Sequence, residues 1–350
     1  GDRKVSIKKC RGARPCALRS VAEAGRQKVK YRTLGRTGYS ISEIGFGAWG
    51  IGKQLWVGAE DSESLKALHR AVDQGLNFID TALAYGGGHS ETLVGQVLKD
   101  REERIFVATK VPPRNQRWPA SGSLEEVFPR RHIIQSTETS LRNLGVETLD
   151  LLQLHVWSPS WIQDDQWFET LSQLKEEGKI AHFGISVNDH QPQTAEELVQ
   201  SGRIDTIQVI YNVFEQAPED RLFPLCREKE VGVIARVPFD EGALTGGITS
   251  ETKFPKKDWR NFYFQGDRRD QVQEHVRELG TLLDGEARTL PELALKFCLH
   301  APVVSAVIPG MRSVRHVEAN LVVSDQGPLS EELMGKLRGH RWDKNFYEKP

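Results

Sequence analysis

The feature that most constrains the fold is a repeated alternation of short apolar runs with amphipathic helical stretches. Residues 62–74 carry apolar side chains at helical spacing and end at Gly75, and residues 77–81 then form a short apolar run. About eight such strand and helix units follow one another along the chain, the number that closes a parallel barrel. The pattern therefore predicts an α/β fold, a (β/α)8 TIM barrel.

The boundaries of the units follow from apolar periodicity and from the glycines that end several helices. Predicted helices cover residues 62–74, 91–99, 131–144, 167–177, 194–201, 221–229 and 290–300. Predicted strands cover residues 77–81, 105–109, 149–154, 180–187, 206–211, 231–237 and 303–308. An N-terminal β-hairpin is predicted over residues 31–48, because Gly35 and Gly38 flank a turn. An open doubly wound sheet is the alternative, but its usual G-x-G-x-x-G motif is missing.

Composition narrows the class of protein. The chain has 350 residues, of which 38% are hydrophobic, so a single large domain over residues 31–350 is expected. Its formal net charge is -1, from 47 basic and 48 acidic residues, which is unlike the basic footprint of a nucleic-acid-binding protein. No apolar stretch reaches the roughly 18 residues of a membrane helix. Four scattered cysteines, Cys10, Cys16, Cys226 and Cys298, favour a reducing compartment such as the cytoplasm.

Residues 1–30 differ from the rest of the chain. They are rich in Lys and Arg, with only Asp2 and Glu23 as acidic residues. Because their apolar content is low, we expect this basic leader to be disordered. An organelle transit peptide is the alternative, since such segments are rich in Arg and poor in acids, although a clear amphipathic repeat is absent.

Three segments interrupt the alternation, namely residues 111–129, 238–267 and 324–350. They are rich in proline or aromatic residues, and loops of this length in a compact domain usually bind ligands or cover a site. The first two follow predicted strands directly. Both are therefore expected at the end of the barrel where strands finish.

Ionisable side chains follow three successive strands. Asp80 and Tyr85 come at and after the end of the strand 77–81, while Lys110 and His155 each follow the next strand along the chain. In parallel barrels the catalytic groups lie at the carboxyl ends of the strands. We therefore expect these four side chains to meet at one mouth.

Their chemistry suits proton transfer to a forming alkoxide. A lysine ammonium would favour the phenolate of Tyr85 and so make the phenol a better acid, and Asp80 would hold Lys110 in place. His155 would donate a hydrogen bond that orients a carbonyl oxygen. The set predicts a general acid with an electrostatic partner and an orienting group. A barrel hydrolase that uses Asp80 and His155 with a metal is an alternative, although no ligand pair has helical spacing and no metal is expected.

From about Tyr31 to Asn320 the chain resembles the aldo-keto reductases. The stretch Asp80-Thr-Ala-x-x-Tyr85-Gly, followed by Ser90 and Glu91, is similar to that family's first signature. The resemblance implies an NADP(H)-dependent oxidoreductase that reduces a small aldehyde or ketone. It further implies that Tyr85 donates the proton, with Asp80, Lys110 and His155 completing the catalytic set. The oligomeric state does not follow from it.

The resemblance also implies the residues that hold the nicotinamide. Residues 184–188 are similar to a Gly-x-Ser-Asn segment, so Ser186 and Asn188 would bind the carboxamide, although Asn188 stands one residue late. Gln208 would bind the same group, or else bond to neighbouring backbone. Arg236 stands where many relatives stack a tyrosine on the nicotinamide. A planar guanidinium there would favour the neutral, reduced ring, whereas the alternative is an ion pair with Asp240 or Glu241.

Two later segments resemble the rest of the cofactor site. Residues 238–246 resemble the loop that wraps the pyrophosphate, where glycines allow backbone N–H groups to approach closely. Residues 308–320 resemble the adenosine end, where a helix begins and Arg312 with Ser313 would hold a 2′-phosphate. The usual Lys-Ser pair is replaced there by Gly310 and Met311. The residues implied are Pro238, Gly242, Leu244, Gly246, Gly310, Arg312, His316 and Asn320.

Tryptophans that follow strands or lie in long loops are expected to wall the substrate pocket, and these are Trp49, Trp118 and Trp157. A different class of function is also open. Potassium-channel β subunits share this resemblance, and such a protein would be a redox-sensing regulatory subunit with negligible turnover.

Overall fold

An eight-stranded parallel sheet lies at the centre of the computed structural model, which describes residues 29–344. A separate two-stranded antiparallel sheet precedes it. The strands are β1 (Tyr31–Thr33), β2 (Ser40–Ser42), β3 (Phe46–Gly47), β4 (Phe78–Asp80), β5 (Phe106–Val111), β6 (Leu149–Leu154), β7 (Ile180–Ser186), β8 (Thr206–Ile210), β9 (Gly232–Arg236) and β10 (Val304–Val307).

Helices connect the strands and surround the sheet. They are α1 (Asp61–Asp73), α2 (His89–Asp100), α3 (Leu124–Val127), α4 (Arg130–Leu144), α5 (Gln166–Glu176), α6 (Glu196–Ser201), α7 (Leu222–Glu228), α8 (Arg260–Tyr263), α9 (Arg268–Gly280), α10 (Leu290–His300), α11 (Val314–Asp325) and α12 (Glu331–Arg338). Short 3₁₀ turns are Gly35–Thr37, Trp49–Ile51, Pro159–Trp161, Pro192–Ala195, Ala217–Glu219 and Asp240–Thr245. No helix within the described range is long and apolar enough to span a membrane.

The sheet curls so that its first and last strands meet. Neighbouring strands from β3 to β10 pair in chain order and in parallel. Parallel bridges join Ile44 to Val307 and Gly47 to Gly310, and Gly47 N donates to Pro309 O at 3.0 Å. A Cβ on Gly47 would lie 2.6 Å from Ile308 O, so only glycine allows this approach. The predicted (β/α)8 barrel is confirmed.

The β1–β2 hairpin covers the end of the barrel where the strands begin. Its residues Leu34 and Ile41 are buried in one cluster with side chains from inside the sheet. Members of this inner cluster are Leu34, Ile41, Phe78, Ala108, Leu151, Ile234, Ala306 and Ile308. A larger apolar cluster lies between the sheet and the helices. With one end closed by the hairpin, the opposite end is left for the functional groups.

The predicted elements agree with the structure to within a few residues, with several differences. The short helices α3 and α8 lie in segments that were predicted as loops. The second arm of the predicted hairpin is split, because β2 pairs with β1 while β3 enters the barrel. Helix α9 was not predicted, although Val272, Val276 and Leu279 have helical spacing. The tail was predicted as a loop, but it contains α12, whose N-cap Ser330 accepts a hydrogen bond from Leu333 N. The basic leader was predicted to be disordered over residues 1–30, of which residues 1–28 lie outside the described residues. The last two residues are ordered, because Val29 is buried in the core and Lys30 N donates to Ser324 Oγ at 2.8 Å.

Candidate active site

The turn that carries Tyr85 is fixed by tight backbone contacts. Asp80 ends β4, and Gly86 follows Tyr85 with a φ of 67°, in the left-handed region that favours glycine. A Cβ on Gly86 would lie 2.2 Å from Gly52 O, so the turn presses against the loop after β3. Below it, Thr81 Oγ1 donates to Ser90 Oγ at 2.9 Å, which links the strand end to the start of α2. Local sequence thus sets the position of the phenol.

Lys110 connects Asp80 to Tyr85 inside the barrel. It lies on β5, next to β4 in the sheet, and is fully buried. Its Nζ donates to Asp80 Oδ1 at 2.5 Å and to Thr81 O at 2.8 Å. The same Nζ lies 3.4 Å from the Tyr85 hydroxyl oxygen. A buried ammonium is stable only with such partners, so the aspartate keeps the charge beside the phenol.

His155 faces the phenol from the next strand end. Its ring centroid is 5.8 Å from that of Tyr85, and its backbone N–H donates to Val111 O at 3.0 Å. Burial lowers the pKa of His155 well below its usual value, and the charges of Lys110 and Arg236 lower it further. The Nδ1 atom is buried and has no hydrogen-bond partner within the described residues. The imidazole is therefore neutral, with a proton on one of its two ring nitrogens.

The pKa of Tyr85 differs in direction from the expectation. Burial raises it above 10.0, and Asp80 adds to the rise, while Lys110 opposes both. The lysine therefore offsets part of the cost of forming a phenolate but does not reverse the shift. The phenol stays protonated at neutral pH, as a proton donor must before it reacts.

Two glutamines complete the surroundings of Asp80. Gln208 on β8 donates from Nε2 to Asp80 Oδ2 at 2.7 Å, and Gln153 on β6 lies 3.5 Å from the same oxygen. Gln208 thus bonds to the Asp80 carboxylate, which was neither of its two expected partners. Gln153 was missed, although a buried glutamine in an apolar strand two residues before His155 was a usable signal.

Ser186 and Asn188 have different surroundings. Ser186 ends β7, is 2% exposed and lies opposite Gln208 in the strand register. Asn188 stands one residue beyond the expected position, and its side-chain amide forms hydrogen bonds within the protein. Its Nδ2 donates to Trp157 O at 2.8 Å and its Oδ1 accepts from Ala120 N at 3.4 Å. In this structure Asn188 holds two loops together.

Arg236 ends β9 and pairs with an acid that was not expected. Its Nη2 donates to Asp189 Oδ1 at 2.6 Å and to Val187 O at 2.8 Å. Arg236 therefore forms an ion pair, as the alternative interpretation predicted, but the partner is Asp189 and not Asp240 or Glu241. The guanidinium links the ends of β7 and β9 across the mouth.

The loop after β9 has the shape expected for close approach of a ligand. Gly242 and Gly246 adopt φ values of 103° and 77°, while Pro238 and Leu244 are buried. Glu241 lies within this loop, and burial raises its pKa to about 8, with Asp189 and Asp240 adding to the shift.

The segment 308–320, predicted as the adenosine end, contains the start of helix α11. Ser313 is the N-cap, and its side chain accepts from His316 N at 3.4 Å. Arg312 packs over the Trp56 ring at 5.6 Å and donates to Val57 O at 3.1 Å. Burial and neighbouring arginines lower the pKa of His316. Also at this end, Gly310 contacts Gly47 and Asn320 is buried within α11.

The tryptophans do not all lie where they were expected. Trp49 stacks on Tyr85 with ring centroids 6.2 Å apart, and Trp118 lies edge-on to His155 at 4.7 Å. Trp157, by contrast, is fully buried in the core and packs against Trp161 and Trp167. The mouth therefore has two of the three expected aromatic walls. Trp56 and Trp259 add to it through Trp49, at 5.8 and 6.4 Å.

Comparison with known proteins agrees with this geometry. The aldo/keto reductase family matches residues 43–341, so the chain belongs to the aldo-keto reductase family. It is 30% identical to the NADH-specific methylglyoxal reductase of Escherichia coli, over 84% of this chain and 93% of that protein. It is 28% identical to a probable voltage-gated potassium channel subunit beta of Arabidopsis thaliana, over 86% of this chain and 93% of that protein.

A solved structure supports the same assignment. The holo form of aldo-keto reductase AKR11C1 from Bacillus halodurans superimposes with a TM-score of 0.71 at 29% identity. The match covers 90% of this chain and 97% of that one. Members of the family are oxidoreductases that use nicotinamide cofactors.

Proposed function

We propose that the protein is an NADP(H)-dependent reductase that converts a small aldehyde or ketone to an alcohol, with Tyr85 as proton donor. One observation carries this proposal. Buried Lys110 joins Asp80 at 2.5 Å to the Tyr85 hydroxyl at 3.4 Å, and a neutral histidine faces the same phenol. This arrangement directs the acidic proton of Tyr85 and a hydrogen-bond donor of His155 toward the same place, where a carbonyl oxygen could bind.

The protein's own groups account for the proton. A carbonyl oxygen that accepts hydrogen bonds from Tyr85 OH and His155 Nε2 becomes more electrophilic at carbon. As that oxygen gains negative charge, the phenol proton moves to it, and the ammonium of Lys110 stabilises the resulting phenolate. Asp80 keeps the ammonium charged and in position. When bound, the nicotinamide supplies the hydride that reaches the carbonyl carbon.

The chain offers groups that could bind both ends of such a cofactor. Cationic groups and a helix N-terminus would bind the adenosine end, whereas an amide side chain would bind the nicotinamide end. At the adenosine end, the N-terminus of the twelve-residue helix α11 carries Arg312, His316 and a serine cap, a combination that favours a phosphate. At the nicotinamide end, Gln208 uses one N–H for Asp80 and retains a second N–H and an oxygen for a carboxamide. The residues proposed to hold the cofactor are Ser186, Gln208, Arg236, Pro238, Gly242, Leu244, Gly246, Gly310, Arg312, His316 and Asn320. Asn188 is not among them, because its amide bonds to Trp157 and Ala120.

The mouth suits a small organic carbonyl compound. Trp49 and Trp118 place indole surfaces beside the two hydrogen-bond donors. Apolar walls with a few convergent polar groups are typical of small-molecule sites. Among residues 29–344, no cluster of three or more His, Cys, Asp or Glu side chains has the arrangement of a metal site.

The test is turnover by the purified protein. NADPH and NADH would each be incubated with a panel of aldehydes and ketones, and oxidation of the cofactor followed by absorbance. Tyr85→Phe should lower kcat by about 10²-fold or more, the scale for loss of a general acid, while cofactor binding persists. Tyr31→Phe makes the same change at an exposed tyrosine of β1 and serves as a matched control for folding. Turnover by Tyr85→Phe within a few-fold of the parent would remove the phenol from this role.

The regulatory-subunit alternative makes the opposite prediction. It keeps the barrel and the cofactor but shows negligible reduction of every carbonyl compound in the panel. The resemblance to a potassium channel subunit beta keeps this alternative open. Single-turnover measurements with bound NADPH separate it from slow release of product, because chemistry is then observed directly.

A further inference from the structure

The loop after β9 is held in a conformation that its own residues do not favour. Val237, Asp240 and Glu241 have φ values of 57°, 48° and 56°, all in the left-handed region. That region is unfavourable for residues other than glycine, and most of all for a β-branched residue such as valine. Strained backbone of this kind persists only when surrounding contacts hold it. The loop therefore needs partners from elsewhere in the chain.

Asp240 provides the main anchor of the loop. Its carboxylate is fully buried, accepts from Tyr263 OH at 2.5 Å and from Lys344 Nζ at 2.8 Å, and lies 3.6 Å from Arg268 Nη2. Burial alone would raise the pKa of Asp240, but Lys344 and Arg268 hold it below the usual range. A buried carboxylate is stable only with such partners.

Lys344 reaches Asp240 from the C-terminal segment of the described chain. Its side chain is only 6% exposed, and its Nζ lies over the Trp342 ring at 4.3 Å and the Phe214 ring at 5.0 Å. Burial lowers the pKa of Lys344 to about 8, although Asp240 opposes that shift. The ammonium is therefore mainly charged at neutral pH and can hold the carboxylate.

The segment is itself fixed to the barrel on two sides. Trp342 N donates to Phe214 O at 2.8 Å, and the Trp342 ring stacks on His275 of α9 at 4.2 Å. Arg341 forms an ion pair with Asp220 at 2.7 Å. These contacts tie residues 341–344 to the loop after β8 and to α9. The lysine is thus presented to the loop after β9 by a segment that is anchored elsewhere.

From these contacts we propose that residues 341–344 form a C-terminal clasp that holds the loop 237–246 in its cofactor-binding conformation. Lys344 and Trp342 are then positioning residues that act through Asp240 and do not touch the reacting atoms. This inference rests on the proposed function in so far as the loop contacts a nicotinamide cofactor. It assigns to the C-terminal segment control over how fast that cofactor leaves.

The first test measures the loop without cofactor. Lys344→Met should speed hydrogen exchange of the backbone amides in residues 237–246, because the clasp no longer holds them. Lys336→Met removes an exposed lysine of α12, paired with Glu332, and is the matched control. If exchange in this loop is the same in Lys344→Met, Lys336→Met and the parent, the clasp does not exist.

The second test measures release of NADPH by stopped-flow fluorescence. We expect Lys344→Met to release NADPH at least about tenfold faster than the parent, since affinity changes within one site fall mainly on dissociation. A single variant also leaves the Asp240 charge less well paired, which lowers stability by itself. The triple variant Asp240→Asn with Arg268→Met and Lys344→Met removes all three buried charges of this cluster. It should recover thermal stability while release stays fast.

The outcomes separate the two proposals. Recovery of both stability and slow release in the triple variant would overturn the clasp, because the effect of Lys344→Met would then come from a poorly paired buried charge. A parent protein that binds neither NADPH nor NADH would refute the proposed cofactor role, while the hydrogen-exchange result would still decide whether residues 341–344 hold the loop.

Discussion

At the scale of single residues, each functional side chain has a protonation state set by its surroundings. Burial raises the pKa of Tyr85 and lowers that of His155, so both are neutral at neutral pH. Lys110 is buried too, but it has Asp80 as a partner at 2.5 Å. One ion pair therefore lies beside two neutral hydrogen-bond donors, which suits reduction of a neutral carbonyl compound.

The state of His155 gives a prediction for stability against pH. Its folded-state pKa is well below 6.5, so the unfolded chain takes up a proton first as the pH falls. The free energy of unfolding should therefore fall as the pH drops below 6.5, by up to about 1 kcal/mol from this group between pH 7 and 5.5. His155→Gln removes that contribution. Urea unfolding of both proteins at the two pH values measures the difference.

The control for this prediction is His69→Gln, which changes a histidine on the outer helix α1. It should lose the same stability as the parent between the two pH values, within a few tenths of a kcal/mol. An equal loss in the parent and in His155→Gln would mean that His155 is protonated normally in the folded protein.

At the scale of elements, the helix α11 presents its N-terminus and its cations at the adenosine end of the site. Arg312 stands just before the Ser313 cap, and it contacts Trp56 and Val57 from the loop before α1. A forked guanidinium at a helix start matches a phosphate in charge and in geometry. We therefore propose that this element would favour NADPH over NADH.

Arg312→Ala should weaken binding of NADPH by about 1–3 kcal/mol, the scale of a charge-assisted contact, and leave NADH nearly unchanged. Arg70→Ala is the matched control, because Arg70 pairs with Glu318 on the outer face of the same helix. Fluorescence titration of both cofactors at fixed salt provides the measurement. Equal losses for NADPH and NADH would show that Arg312 does not read the 2′-phosphate.

At the scale of the whole molecule, closure of the barrel brings distant strand ends together. The bridges between β3 and the segment after β10 join residues 44–47 to residues 307–310. The loop after β3, which carries Trp49, thereby lies beside the segment that carries Arg312. One closed sheet thus sets the relative positions of Trp49 and Arg312, which we propose to contact the substrate and the adenosine.

Gly47→Ala should open this junction. The added Cβ would lie 2.6 Å from Ile308 O and 2.9 Å from Pro309 O, and neither backbone oxygen can move away without loss of the bridge. We expect a loss of about 2–4 kcal/mol in the free energy of unfolding, the range of severe packing changes. Gly335→Ala in α12, with no atom within 4 Å of its new Cβ, should be neutral or stabilising. Equal denaturation midpoints for Gly47→Ala and the parent would contradict tight closure.

Much of the fold was predictable from the sequence, because the signals are local. The barrel followed from the alternation of apolar runs and amphipathic helices, which reports burial along one short segment at a time. Asp80, Tyr85, Lys110 and His155 could be named because parallel strands bring their ends to one mouth. Helices α9 and α12 were missed although both carry an apolar spacing or a cap that predicts a helix.

Only the tertiary structure decided which polar side chains pair with each other across the mouth. Arg236 pairs with Asp189 instead of its neighbours in sequence, and Gln208 bonds to Asp80 across a distance of 128 residues. Trp157 lies in the core because it packs against two other tryptophans. Such choices depend on which groups compete for one buried donor or acceptor once the chain has closed. The sequence by itself determined that Asp80, Tyr85, Lys110 and His155 stand at neighbouring strand ends, and the tertiary structure determined which other groups join them and which groups bond to each other.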